Sequence, residues 1–123
     1  MRTKYGNKKV NYNGYSFASI AESQRYKELL LLQKAGEISG LKLQPRYILQ
    51  HAFTHNYNKF AKIEYIADFE YIENGKTIAE DVKSPITAKD KVYVIKKKIF
   101  LREYGELYTF RENSYTEGKV VDY

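Results

Sequence analysis

The sequence contains no cysteine and no tryptophan, and it has only two prolines, Pro45 and Pro85. Without cysteine, disulfide bonds and thiolate metal sites are excluded. No run of about 18 apolar residues is present, so we expect no membrane span. The basic start of the chain leads into no apolar segment, so we expect no signal peptide. These absences favour a cytoplasmic protein.

A length of 123 residues suits a single domain over 1–123. Lysine and arginine total 21 against 15 aspartates and glutamates, which gives a net charge of +6. Such an excess attracts polyanions, above all nucleic acid, although many basic domains bind none. The 13 tyrosines can stack on bases or pack within a sheet and core.

The pattern of apolar residues predicts an α/β domain of core order α-β-β-β-α-β with a mixed central sheet flanked by helices. Asn13-Gly14, between aromatic residues, predicts a small β-hairpin in front of this core. We expect a basic arm and hairpin over 1–18, helices over 20–35 and 88–104, strands over 41–49, 62–73, 76–83 and 107–112, a loop over 51–61, and a loosely held tail over 113–123.

The ends of the helices carry capping signals. Ser19 is the expected N-cap of the first helix, and Gly36 stands where a left-handed residue would end it. Thr87 is the expected cap of the second helix, with Asp90 three residues later. The apolar stripe of that helix is predicted to be Ala88, Val92, Ile95 and Ile99.

The turn at Asn74-Gly75 sets the register of a second hairpin. If these two residues form the turn, paired positions sum to 149, and Asp68 lies opposite Asp81. Their β-carbons would then be about 5 Å apart on one face of the sheet. Lys83, two residues beyond Asp81, would point to the same face.

Two carboxylates at this spacing repel each other by roughly 3 kcal/mol at an effective dielectric constant of 20. A divalent cation between them would reverse that sign, and two carboxylates with waters and a phosphate make a good magnesium site. Lys83 beside it could orient the attacking water, which predicts metal-assisted phosphodiester hydrolysis. The alternative is a set of ordinary solvated charges on a hairpin.

Glu22 is a further candidate. It shares a helix face with Leu29 and Leu30, which must point to the core, so its carboxylate would be aimed inward near the start of the helix. The alternative is a capping box with Ser19, in which the glutamate bonds back to the amide of the cap residue. Both interpretations remain open at this stage.

These residues give the chain a resemblance to the PD-(D/E)XK nuclease superfamily, and more closely to a phage-borne branch of it known as a domain of unknown function and similar to Holliday-junction resolvase-type endonucleases. Ala67 stands where the motif has its proline, and Asp81 fills the (D/E) position. The matching stretches are 4–9, 17–22, 36–38, 43–45, 65–69 and 80–83.

The resemblance implies roles for five residues. Asp68 and Asp81 would bind Mg²⁺ or Mn²⁺, together with the Val82 carbonyl. Glu22 would hold a water or a second metal ion, as the helix glutamate does in archaeal-type Holliday-junction resolvases. Lys83 would position the nucleophile. The fold implied is the restriction-endonuclease-like core.

The function implied is that of a divalent-metal-dependent DNA endonuclease, structure-specific for branched DNA such as Holliday junctions. It would act in phage replication or recombination, in the host cell cytoplasm, and as a homodimer because one small domain carries one site. Two alternatives stay open: a nuclease on single-stranded DNA, flaps or RNA, and a non-catalytic nucleic-acid-binding module with the same fold.

Residues that could contact nucleic acid lie on the basic arm, in the Leu-Gln-Pro stretch and on the lysine-rich second helix. For the helix, a solvated amphipathic surface is an equal alternative. The candidates are Lys4, Lys8, Lys9, Gln44, Lys89, Lys96 and Lys97.

Other polar residues are assigned no role in the site. His51 and His55 are four apart, a spacing that can bind zinc on a helix, but here they fall in a predicted loop. Asp90 is interpreted as a helix cap. Glu70 shares the face of Asp68 and could tune the site or be solvated, and Glu80 points to the opposite face.

Overall fold

The computed structural model of the protein describes residues 9–123. Lys4 and Lys8, two of the predicted DNA contacts, lie outside the described residues. The helices are α1 (Ile20–Lys34) and α2 (Lys91–Tyr104), and the strands are β1 (Val10–Tyr12), β2 (Tyr15–Phe17), β3 (Ser39–Leu43), β4 (Arg46–Gln50), β5 (Phe53–His55), β6 (Asn58–Phe60), β7 (Ile63–Ile66), β8 (Phe69–Glu73), β9 (Lys76–Val82), β10 (Thr109–Ser114) and β11 (Lys119–Asp122).

A five-stranded sheet of order β11-β10-β9-β8-β3 forms the centre of the fold. β9 and β10 run parallel, and the other neighbouring pairs are antiparallel. The expectation of an α/β fold with a mixed central sheet, two helices and a front hairpin is confirmed. No helix in the described part of the chain is long and apolar enough to cross a membrane.

The two helices cover opposite faces of the sheet. Side chains alternate along β9, so Ile78 and Val82 join a core with Leu29 of α1, whereas Ala79 joins a second core with Phe100 of α2. Nearly all of β9 is therefore buried on both faces. The chemistry-bearing residues at its carboxyl end project from a rigid central strand.

Turn and cap signals in the N-terminal half are confirmed. Asn13 (φ 54°) and Gly14 (φ 82°) form the turn between β1 and β2, as two consecutive left-handed residues do in a type I′ hairpin. The Ser19 side chain caps α1. Gly36, at φ 82°, follows the end of the helix.

The expected strands 41–49 and 62–73 each divide into two. β3 and β8 belong to the central sheet, whereas β4 and β7 form a separate two-stranded ribbon. The expectation of a loop over 51–61 was also wrong, because β5 and β6 form a hairpin that prolongs this ribbon. We refer to residues 46–66, which comprise β4 to β7, as the arm.

The division of the long strands has a local cause. Gln44 takes a left-handed conformation (φ 50°), and Pro45 has no N–H to give to a ladder. The chain bends here and, on the partner strand, at Ala67 and Asp68. The two strands stay joined through the bend, since Gln44 N–H donates to the Asp68 carbonyl (2.9 Å) and Ala67 N–H to the Pro45 carbonyl (3.2 Å).

The second helix begins later than predicted. Its N-cap is Asp90, whose carboxylate accepts the N–H of Tyr93 at 3.1 Å, and not Thr87, which starts a short 3₁₀ turn. The predicted apolar stripe was wrong. Val92 and Ile95 are 60% and 57% exposed, and the buried residues of α2 are Tyr93 and Phe100.

The C-terminal segment is more ordered than we expected from its sequence. β10 ends at Ser114, two residues beyond the predicted strand end, and a 3₁₀ turn follows over Tyr115–Glu117. Gly118 then reverses the chain with φ 65°, and β11 pairs antiparallel with β10. The tail is thus the edge strand of the central sheet.

Candidate functional site

The β8–β9 hairpin has the register that the Asn74-Gly75 turn predicts. Glu73 pairs with Lys76, and each pair up to Phe69 with Glu80 keeps the sum of 149. The ladder ends at that last pair, and Asp68 lies directly before β8. Its backbone N–H still donates to the Glu80 carbonyl at 3.1 Å, which holds it against β9.

Asp68 and Asp81 come together at this end of the hairpin. The Asp68 Oδ2 atom accepts the N–H of Val82 at 2.7 Å, so its side chain takes the place of a backbone ladder bond. Its carboxyl group is also within hydrogen-bonding reach of the Asp81 carboxyl. The two carboxyl groups therefore lie close together on the α2 face of the sheet.

The pKa of Asp68 is raised well above its ordinary value. Burial is the main cause, followed by the negative charges of Asp81 and Glu22, while Lys83 acts in the opposite direction. Burial and neighbouring negative charge both disfavour the ionised form of the Asp68 carboxyl group.

Asp81 has lost almost all contact with solvent, with 1% of its surface exposed. The Tyr65 hydroxyl donates a hydrogen bond to its Oδ2 atom. The Lys83 Nζ atom lies 3.3 Å from its Oδ1 atom. Lys83 also lies over the ring of Tyr93, with Nζ 4.3 Å from the ring centroid. The expected common face of Asp81 and Lys83 is confirmed.

Lys83 keeps its positive charge in this setting. Burial lowers the pKa of Lys83, but the charges of Asp81 and Asp68 raise it by more, so the net direction is upward. An ammonium group beside two carboxyl groups partly balances their charge. It also presents hydrogen-bond donors toward the same space.

Tyr65 and Tyr93 were missed by the sequence analysis. Tyr93 donates to the Glu112 carboxylate on β10, and Lys97 Nζ also lies 3.1 Å from that carboxylate. Tyr65 carried a usable signal, because the alternation along β7 places it on the same buried face as Ala67. Tyr93 carried none, since its inward direction depends on how α2 packs.

Glu22 meets both interpretations offered for it. Its N–H donates to the Ser19 hydroxyl (3.1 Å), as the capping box predicts, whereas its carboxylate accepts the N–H of Ala18 (3.4 Å), one residue before the cap, and not that of Ser19. The pKa of Glu22 is nevertheless raised, first by burial and then by the charge of Asp81, while the Ala18 N–H lowers it. The capping carboxylate therefore lies within electrostatic reach of Asp81 and Lys83.

A cleft of about 440 Å³ opens beside these groups, between the start of α1 and the end of β9. Glu22 and Lys83 both line this cleft, so these two charged side chains can be reached from outside the fold. Its polar walls include hydroxyl groups from Ser19, Ser84, Thr87, Tyr115 and Thr116.

The predicted nucleic-acid contacts that the structure describes differ in their exposure to solvent. Lys9 and Lys89 are exposed, and Lys96 is half-buried. Lys97 is engaged within the protein by Glu112 and by the Tyr123 hydroxyl at 2.8 Å. The side chain of Gln44 is exposed, while its backbone supports Asp68.

The remaining polar candidates are either exposed or paired with residues other than the two aspartates. Both histidines are exposed, with His55 in β5 rather than in a loop. Glu70 accepts a hydrogen bond from the Tyr47 hydroxyl (2.8 Å) and lies 3.4 Å from Lys42. Glu80 points to the α1 face as expected, where Arg25 binds it at 2.7 Å.

The donor set suits a hard divalent cation. Carboxylate oxygens are the ligands that Mg²⁺ and Mn²⁺ prefer. The pKa of Asp68 is raised by burial and then by the charges of Asp81 and Glu22, and a bound cation would oppose both effects. Within residues 9–123 no three histidine or acidic side chains are already gathered around one point. Asp68 and Asp81 thus provide two ligands, and further oxygens would have to complete the shell.

A family model described as protein of unknown function (DUF1064) matches residues 2–117. Because the match covers nearly the whole chain, the protein belongs to this family. Searches of the curated proteins and of the solved structures found no match.

Proposed function

We propose that this protein is a divalent-metal-dependent DNA endonuclease of the PD-(D/E)XK type. The observation that carries the proposal is the group of Asp68, Asp81 and Lys83, brought together at the end of a central hairpin, with Asp81 buried and Lys83 lining a cleft. Such a group is costly to the folded state, because like charges are held together away from water. It becomes favourable when a cation and an anionic substrate join it.

The topology supports the same proposal. Along the chain, the central sheet and its two covering helices follow the order α1, β3, β8, β9, α2, β10, with the arm inserted between β3 and β8. This order agrees with the αβββαβ order expected of a restriction-endonuclease-like core, with β11 as an additional edge strand, and so supports the proposal.

Each residue has a chemical task in this scheme. Asp68, Asp81 and the Val82 carbonyl would hold Mg²⁺ or Mn²⁺, with Glu22 holding a water or a second ion. The bound ion would supply a Lewis acid that stabilises charge on the phosphate and makes water more acidic. Lys83 donates hydrogen bonds into the same space, where it positions the attacking water and offsets negative charge.

The proposed substrate is DNA, with branched DNA such as a Holliday junction favoured by the resemblance of the sequence. The net charge of +6 supports a polyanionic partner. One site in a domain of this size cuts one strand, so a homodimer would serve a junction, in phage recombination or replication within a host cell cytoplasm.

A cleavage assay tests the activity directly. The protein would be incubated with a labelled four-way junction, linear duplex, single-stranded DNA, a flap and RNA, with Mg²⁺ or with EDTA. We expect cutting of the junction only with Mg²⁺. Asp68→Ala and Lys83→Ala should lower the rate by at least about a hundredfold and leave DNA binding largely intact.

The matched control is Lys76→Ala, which removes a lysine from the exposed start of the same strand. This variant should cut like the parent. If Asp68→Ala and Lys83→Ala also cut like the parent, or if EDTA leaves cutting unchanged, the proposal is wrong. Binding without cutting by the parent under every condition would instead indicate a non-catalytic module.

Metal binding can be measured apart from activity. In a calorimetric titration with Mn²⁺, we expect the parent to bind and Asp81→Asn to lose most of that binding. Asp122→Asn, which removes an exposed carboxylate from β11, is the control and should bind like the parent.

A further inference from the structure

The end of the arm projects from the protein as a narrow two-stranded hairpin. Every residue from Gln50 to Ile63 is exposed, although β5 and β6 within this range are regularly paired. The base of the arm is different, because Tyr47 and Tyr65 are buried there against α2. A fixed base and a free tip are typical of an element that contacts something outside the domain.

The turn at the tip is made by Asn56 and Tyr57, both left-handed, at φ 48° and 64°. The two other hairpin turns of this kind in the described chain use Asn13-Gly14 and Asn74-Gly75. Glycine suits the second position of such a turn, whereas a bulky side chain there is strained. Tyr57 is also fully exposed, so no packing inside the protein compensates for the strain.

Two more aromatic rings lie just behind this tip. Phe53 and Phe60 are directly opposed across β5 and β6, and their rings are stacked with centroids 5.0 Å apart. Each remains 46% exposed. With Tyr57, the hairpin therefore presents three partly or fully exposed rings, and the outer faces of the Phe53–Phe60 stack remain open to a flat partner.

The charge of the segment selects the kind of partner. Between Glu37 and Glu64 the sequence contains no acidic residue. Lys59 lies on β6 between the turn and Phe60, and it forms no salt bridge within residues 9–123. The cationic residues of the interval are Lys42, Arg46, Lys59 and Lys62. Aromatic faces interleaved with cations bind unpaired nucleotides, whose bases stack and whose phosphates are anionic.

The hairpin also lies at a useful distance from the candidate site. Asp68 is eight positions after Phe60, which is at most about 26 Å of extended chain. That is the rise of roughly seven or eight stacked bases. One DNA molecule can therefore reach both the rings and the acid pair.

We propose that the β5–β6 hairpin binds unpaired nucleobases by stacking them on Tyr57 and the Phe53–Phe60 pair. This proposal rests on the proposed function, since it concerns how the DNA substrate is bound. The hairpin would recognise unpaired bases, either in single-stranded DNA or at a branch point. A membrane surface and a second copy of this chain are the competing occupants.

The absence of tryptophan makes a direct test possible. Tyr57→Trp introduces a single indole at the tip, and stacking on a base should quench its fluorescence. We expect quenching by a single-stranded oligonucleotide in EDTA and much less by a blunt linear duplex. Leu31→Trp, on the exposed side of α1, is the matched control and should not respond.

A second pair of variants separates stacking from folding. Tyr57→Gly removes the ring and relieves the strained turn, so we expect roughly tenfold weaker binding to single-stranded DNA with a melting temperature equal to or above that of the parent. Tyr57→Phe keeps the ring and should keep the affinity. Unchanged affinity of Tyr57→Gly would overturn the proposal.

The competing occupants give different signals. A blue shift and brightening of Tyr57→Trp with anionic phospholipid vesicles, without a response to oligonucleotide, would overturn the proposal in favour of a membrane. A change that depends only on protein concentration would overturn it in favour of self-association. Quenching in a protein that cuts no DNA would leave this proposal standing and defeat the nuclease, whereas cutting without quenching would do the reverse.

Discussion

The Tyr65 hydroxyl donates a hydrogen bond to the Asp81 carboxylate, and this contact links the arm to the central sheet at the candidate site. Tyr65 lies on β7 and Asp81 on β9, so the two residues come from different sheets. Burial of the Tyr65 hydroxyl, and after it the negative charge of Asp81, raise the pKa of Tyr65. The Tyr65 hydroxyl therefore stays protonated and remains a hydrogen-bond donor to the Asp81 carboxylate.

Tyr65→Phe should destabilise the protein when no metal is present. The substitution leaves a buried carboxylate oxygen without its donor, which costs about 1–3 kcal/mol of the free energy of unfolding. With saturating Mn²⁺ the loss should be smaller, because a cation would then balance the same charge. Urea denaturation in EDTA and in Mn²⁺ measures both values.

The control for this prediction is Tyr57→Phe, which removes a fully exposed hydroxyl and should change neither value. Equal losses for Tyr65→Phe with and without Mn²⁺ would show that Asp81 does not bind the ion.

Asp68→Asn should stabilise the metal-free protein at neutral and higher pH. The amide keeps an oxygen for the Val82 N–H while it removes the repulsion from Asp81, a gain of about 1 kcal/mol. The pKa of Asp68 is raised in the folded state by burial and by Asp81, so folding favours its protonated form. Stability from this group is complete below its ordinary pKa and is lost as the pH rises through the raised value.

The difference between Asp68→Asn and the parent should therefore grow with pH. Urea unfolding in EDTA at several values between about pH 5 and pH 8 would measure it. An advantage of the variant that stays constant or shrinks as the pH rises would contradict a raised pKa at Asp68.

Much of the candidate site was predictable because its geometry depends on short-range rules. The Asn74-Gly75 turn fixes the register of β8 and β9, and the two-residue period then places Asp81 and Lys83 on one face. The capping box likewise fixed the position of Glu22. These residues are within a few positions of the turns and caps that place them.

The residues that the sequence did not yield depend on long-range packing. Periodicity on α2 fits a stripe through Val92 as well as one through Tyr93, and only the volume beneath the arm decides that the aromatic side chains turn inward. Similarly, the hairpin turn at Asn56-Tyr57 lacks the glycine by which such turns are recognised. Because apolar residues continue on both sides of Gln44, the sequence pattern predicted one long strand where the chain bends from the central sheet into the β4–β7 ribbon.

Arg25→Met tests whether Glu80, the neighbour of Asp81 in the sequence, has a structural role and no part in metal binding. Glu80 is fully buried on the α1 face, where Arg25 holds it with Nε and Nη2 at 2.7 and 3.0 Å, and Tyr71 and Asn113 also donate to it. Removing the guanidinium leaves a buried carboxylate without its counter-charge. We expect a loss of about 3–5 kcal/mol in the free energy of unfolding, measured by urea denaturation.

The double variant Arg25→Met/Glu80→Gln should recover much of that loss, because a neutral amide needs no counter-charge. It should also keep the stabilisation by Mn²⁺ that we expect of the parent, since Glu80 and Asp81 point to opposite faces of β9. If this double variant folds but is no longer stabilised by Mn²⁺, Glu80 is one of the metal ligands. The assignment of a structural role to Glu80 and of metal binding to Asp81 would then be wrong.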